Sequence, residues 1–153
     1  MKKEIREVIV WTLNRLGMYS EDAEELIYRT GNAETGYRHL RQVKGPAIGF
    51  FQVEPDTIKD IWDNYAMYRP EVQAKLWGLG FDETNMDMSV LGSIALQVAF
   101  CRLTYWRYPK PIPPRTLMEG QAKYWKIAYN TEGGKGTIDH FMEANGGRYA
   151  EVD

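Results

Sequence analysis

The feature that most constrains this chain is the stretch at residues 88–107, its most apolar segment. Twenty such residues are long enough to cross a bilayer or to fill the middle of a core. Ser93, Gln97 and Arg102 interrupt the stretch, which points to a buried central helix and to no membrane span. A chain of 153 residues can bury a substantial core in one domain. The expectation is therefore a single all-α domain, residues 1–153, packed around that helix.

The remaining periodicity is helical, with almost no strand alternation. Ile5, Val8, Ile9, Leu13 and Leu16 recur at helical spacing, giving an amphipathic helix over 3–16 that Gly17 ends. Ser20 can cap a second helix, with Glu21 and Asp22 at the positive end of its dipole. Leu26, Thr30 and Ala33 share one face of it, and Glu34 lies beside them at its C-terminal end. Residues 36–54 are rich in Gly and lack a period, so a long loop or a small hairpin is expected. Pro55 sits at a first helical position before Ile58, Ile61, Trp62 and Tyr65, and Pro70 opens a short helix through about 76. Asp87 is the expected cap of the central helix. Four prolines within 109–114 require an extended connection. Thr116 and Glu119 fit a capping box opening a helix to about 130; a Gly-rich turn (Gly133, Gly134, Gly136) and a last helix near 137–144 follow.

Composition and several motifs exclude function classes. A formal net charge of −2 provides no basic stripe for nucleic acid. His39 and His140 stand apart without metal-ligand spacing, so neither a metal nor another cofactor is expected. Asp82, Glu83 and Asp87 lack the Gly and terminal Glu of a calcium loop. In Gly133-Gly134-Lys135-Gly136-Thr137 the Lys is not followed directly by Ser or Thr, which rules out a Walker A loop. The lone Cys101 lies in an apolar run and reads as a buried thiol.

The informative stretch runs from Ala33-Glu34-Thr35-Gly36 through Gly45-Pro46-Ala47-Ile48-Gly49-Phe50-Phe51-Gln52-Val53-Glu54-Pro55-Asp56-Thr57. It offers an acidic residue at a helix end beside an apolar face, then a Gly-containing loop with two aromatics and a Gln. A carboxyl buried against apolar groups has a raised pKa, as a general acid for glycoside cleavage requires. The alternative is that Glu34 only caps its helix or pairs with Arg38.

This stretch resembles the signature of soluble lytic transglycosylases and goose-type lysozymes of the lysozyme-like superfamily: Glu-Ser, a variable loop, then Gly-Ala-x-Gly-Leu-Met-Gln-Ile-x-Pro-x-Thr. Glu34 precedes Gln52 by eighteen residues, and Ala47, Gly49, Gln52, Pro55 and Thr57 match in place, with Phe50 and Phe51 at the Leu-Met pair. Ala128-Tyr129-Asn130 before a Gly-rich turn resembles the family's Ala-Tyr-Asn-x-Gly block. The resemblance covers about residues 20–145. It implies a lysozyme-like fold and cleavage of the β-1,4 bond between N-acetylmuramic acid and N-acetylglucosamine in peptidoglycan. Glu34 would protonate the glycosidic oxygen, and Gln52 would hydrogen-bond near the acid or the sugar. The Tyr129 hydroxyl would hold the Glu34 carboxyl, Asn130 would support the loop, and Phe50 and Phe51 would face the cleft, core packing being the alternative for both.

Departures from the pattern bear on mechanism. Thr35 replaces Ser, Pro46 replaces Gly, and Val43 stands where transglycosylases have a sugar-contacting Ser. Glu54 stands where goose-type lysozymes place an Asp. A transglycosylase needs one acid/base, because the substrate's own 6-hydroxyl attacks. An inverting hydrolase needs a second carboxylate roughly 6.5–9.5 Å away. Glu54 is then either that base or an acid favouring a helix dipole. Anhydro products, the transglycosylase outcome, are the favoured expectation; a catalytically inert structural or glycan-binding domain is the third reading. The N-terminus lacks a signal peptide's apolar stretch. The expected setting is a monomer made in the cytoplasm that meets glycan strands of the bacterial wall, as a bacteriophage lysin or virion-associated protein.

Overall fold

The computed structural model describes residues 1–42, 45–130 and 134–147. They form eight α-helices: α1 (Lys2–Leu16), α2 (Glu21–Glu34), α3 (Pro55–Asn64), α4 (Pro70–Gly78), α5 (Met86–Leu91), α6 (Ile94–Trp106), α7 (Met118–Trp125) and α8 (Ile138–Ala144). A 3-10 turn at Ala66–Tyr68 joins α3 to α4, and a π-turn at Lys126–Asn130 extends α7. The class is all-α, and extended pairing among the described residues is limited to isolated bridges.

Local chemistry sets several boundaries where the sequence places them. Gly17 ends α1 in the left-handed region at φ 69°, which a residue without a Cβ adopts at little cost. The Ser20 hydroxyl accepts from the Ala23 amide at 3.0 Å and caps α2. Pro55 opens α3 and Pro70 opens α4, where the missing N–H costs nothing. Thr137 caps α8 by accepting from the His140 amide.

The central helix differs from expectation. The apolar run is broken at Gly92–Ser93 into α5 and α6, because the Ser93 hydroxyl accepts from the Leu96 amide and starts a new helix. The side chain of Gln97 fills the break, donating to the Val90 and Leu91 carbonyls at 3.1 Å each. Asp87 is not the cap: Asn85 holds that position and Asp87 lies in the first turn of α5. The second half keeps the central role. From Leu96 to Leu103 every side chain of α6 is buried, and the helix packs against α1, α2, α3, α5 and the π-turn. The Nε–H of its buried Arg102 donates to the Met18 carbonyl at 3.0 Å. Cys101 is a buried thiol, as expected.

The helix expected from Thr116 starts two residues later, at Met118. Arg115 and Thr116 instead form a turn that long-range bonds hold in place: the Arg115 amide donates to Asp22 at 2.8 Å, and Arg29 donates to the Arg115 carbonyl at 2.9 Å. Residues 108–114 are non-helical, as their prolines demand. The positions of Val43 and Gly133 lie outside the described residues. No helix among the described residues is long and apolar enough to cross a membrane.

A candidate active-site cleft around Glu34

Glu34 is the last residue of α2, and the chain reverses directly after it. Gly36 and Tyr37 both take positive φ, 61° and 59°. For Tyr37 this conformation is costly and must be held by its surroundings. The ring packs on α2 at Gly31, where an added Cβ would lie 2.2 Å from the Tyr37 hydroxyl oxygen, and the hydroxyl donates to the Tyr28 carbonyl at 2.8 Å. The Thr35 hydroxyl accepts from the Tyr37 amide and donates to the Phe50 carbonyl at 2.7 Å, tying the helix end to the loop.

That loop is a tight turn rather than a true hairpin. Ile48 and Val53 exchange both backbone bonds, at 3.0 and 3.1 Å, and Ile48 also bridges to Arg41. Gln97 fixes it from below, its side-chain oxygen accepting from the Phe50 amide at 3.0 Å. Gly49, at φ 82°, is required there, because a Cβ would lie 2.8 Å from the Gln97 side chain.

The cleft enclosed by α2, this loop, the π-turn and α8 holds about 820 Å³. Glu34, Gln52, Glu54, Thr57, Trp125, Tyr129, Asn130 and His140 all line it. Glu34 is largely covered, and its Oε2 accepts from the Trp125 indole N–H at 3.0 Å. Burial pushes its carboxyl up from 4.5 to about 7, while the Trp125 hydrogen bond and the charge of His140 act in the opposite direction. No ion pair joins Glu34 to Arg38, so the alternative of simple pairing finds no support.

Several expected residues meet here in altered roles. The Tyr129 hydroxyl does not hold Glu34: it donates to the Phe51 carbonyl at 2.6 Å, fastening the π-turn to the loop. The contact assigned to Tyr129 is made by Trp125, one helical turn earlier. Phe50 and Phe51 do not face the cleft. Both are buried in the core with their rings edge-on to Tyr37, which is the packing alternative. Gln52 lines the cleft at φ 52° with its amide donating to the Gly49 carbonyl at 2.9 Å. The Asn130 side-chain oxygen accepts from Lys126, which also reaches the Gly134 carbonyl. Glu54 is exposed, borders the same cleft and forms the N-cap of α3 without a side-chain cap bond.

Sequence reasoning missed two residues. Trp125, 1% exposed, is an unremarked core position by pattern; its place one turn before Tyr129 was the available signal. His140 lies against the end of α2, its Nε2 donating to the Ala33 carbonyl at 2.7 Å, and nothing in its sequence neighbourhood marks it. Among the described residues no cluster of His, Cys, Asp and Glu could hold a metal ion. The arrangement offers one carboxyl able to give a proton near neutral pH, with a second carboxylate free at the cleft edge. Comparison with protein-family models, curated proteins and solved structures finds no match to the chain.

Proposed function

We propose that this chain is a lysozyme-like muramidase cleaving the β-1,4 bond between N-acetylmuramic acid and N-acetylglucosamine in peptidoglycan. The observation that carries the reading is Glu34: a covered carboxyl in a cleft, oriented by an indole N–H and titrating near 7. Such a group is half protonated at neutral pH and suits general acid catalysis, which contributes about 10²–10⁴-fold. The signature resemblance at residues 34–57 and the buried α6 at the centre of the fold support the same reading.

Glu34 gives its proton to the glycosidic oxygen as the bond to the muramic C1 breaks. The resulting carboxylate then takes a proton from the attacking oxygen. In the favoured outcome that oxygen is the substrate's own 6-hydroxyl, which leaves a 1,6-anhydro end and needs no second carboxylate. The hydrolytic alternative is favoured by one specific observation. Glu54 borders the cleft with its side chain uncommitted to the α3 N-terminus, and could activate a water. Action on the bacterial wall as a bacteriophage lysin or virion component fits either outcome.

Mass analysis of muropeptides released from purified peptidoglycan decides among the readings. Anhydro ends, one water lighter than reducing ends and persisting in Glu54→Gln, are the expected result. Reducing ends lost in Glu54→Gln would make the protein a hydrolase. No release by the parental protein would overturn the enzymatic reading in favour of an inert glycan-binding or structural domain.

A further inference from the structure

Glu34 stands where two hollows meet. Beyond the main cleft, a second hollow of about 460 Å³ shares Ala33, Glu34 and His140 with it. The charges along the two differ. Among the described residues, the main cleft adds Glu54 and Lys135, one of each sign, whereas the second hollow adds Lys2 and Arg38 and no acid. Lys2 comes from the first turn of α1 and Arg38 from the reversal after Glu34. The two consecutive positive φ values at Gly36 and Tyr37 lay Arg38 back over Gly36, where an added Cβ would lie 3.7 Å from its Nε. Backbone strain at Tyr37 is thus spent on a turn that returns a cation to the acid's flank. Neither Lys2 nor Arg38 forms an ion pair with a described residue.

We propose that the hollow bordered by Lys2 and Arg38 is an anion subsite that binds a carboxylate carried on the C3 substituent of the muramic acid beside the scissile bond. This rests on the muramidase reading. Of the two sugars flanking Glu34, N-acetylglucosamine is neutral, so anionic groups enter only with the muramic side. They are the carboxylates of its peptide stem or, where the stem is missing, that of the lactyl group. Cations on one side of the acid, with no matching pair of cations among the described residues on the other, fix which sugar lies where, because the reversed strand would leave the cations without a partner.

The test compares KM and kcat for the parental protein and the Lys2→Ala/Arg38→Ala double variant on three soluble glycan substrates. These carry intact stems, stems whose carboxylates have been amidated with carbodiimide and ammonia, or no stems after amidase treatment. With two exposed charge contacts at stake, the variant's KM on intact strands should rise about three- to tenfold with kcat retained. Amidation should raise the parental KM by a similar factor and leave the variant unaffected. Stem removal raises the parental KM if stem carboxylates are the ligand and leaves it unchanged if the lactyl carboxylate serves; both support the subsite. Equal parental KM on intact and amidated strands overturns it while leaving the muramidase reading standing. Failure of the parental protein to cleave any of the three overturns both.

Discussion

Replacing Glu34 with Gln isolates the energetics of the buried acid from those of every other group. The amide keeps the shape and can still accept from the Trp125 indole N–H, but it cannot ionise. In the unfolded chain the carboxyl titrates near 4.5; in the folded protein burial moves it to about 7. The native state therefore holds this proton more tightly than the unfolded state does. The stability associated with it is fully present below about pH 4.5 and is lost as pH rises to about 7. At about 1.4 kcal/mol for each pH unit between those values, the loss is roughly 3 kcal/mol once pH exceeds 7. Glu34→Gln escapes that loss. Relative to the parental protein it should gain roughly 3 kcal/mol between pH 4 and pH 8, or about 6–12 °C in Tm. Denaturant unfolding followed by circular dichroism at a series of pH values measures the difference. The pH-dependent part of the difference belongs to Glu34 together with its interaction with the charge of His140. A stability difference that stays flat from pH 4 to pH 8 would mean that Glu34 titrates as an ordinary carboxylate when folded, and the acid would lose its physical basis.

Two further outcomes follow from neighbouring contacts. Trp125→Phe removes the N–H that favours the charged carboxylate, so the alkaline limb of the kcat/KM profile should move to higher pH while activity falls about tenfold; an unmoved limb would separate Trp125 from the acid. Gln97→Leu removes one hydrogen-bond partner from the Phe50 amide and from each of the Val90 and Leu91 carbonyls; it should cost about 2–4 kcal/mol in denaturant unfolding, with the loop at 48–53 the first segment to gain amide exchange.

The parts of this fold legible in the sequence are those set within one or two turns of chain. Gly17, Ser20, Pro55 and Thr137 act on their own helix ends, and each acts where its chemistry predicts. Thr116 shows the limit. Its capping box is a valid local signal, but bonds from Asp22 and Arg29, more than eighty residues away, hold Arg115 in a turn and the helix starts after it. The break between α5 and α6 is hidden by apolar continuity, although Gly92-Ser93 is on view, because the buried amide of Gln97, distant in pattern from a cap, joins the Ser93 cap in bridging the interruption. Glu34 was readable from its place at a helix end beside apolar positions. Its partner was not. The choice of Trp125 over Tyr129 depends on how the π-turn rotates the residues after it, and Tyr129 is turned toward the Phe51 carbonyl instead.

The contacts that complete the acid's surroundings are spaced far along the chain. Glu34 meets Trp125 across 91 residues, Ala33 meets His140 across 107, and Asn32 meets Asn145 across 113. During synthesis α2 leaves the ribosome before the segment that supplies Trp125 and His140, so Glu34 then lacks the side chains that cover it in the folded protein. Only when the segment carrying α7 and α8 has emerged and folded back is the carboxyl covered and its proton retained. Assembly of the acid is therefore a late event in the life of each molecule, coupled to the docking of α8 through Asn145 and His140. A nascent or C-terminally clipped chain that lacks the segment carrying α7 and α8 lacks the Trp125 and His140 contacts at the end of α2.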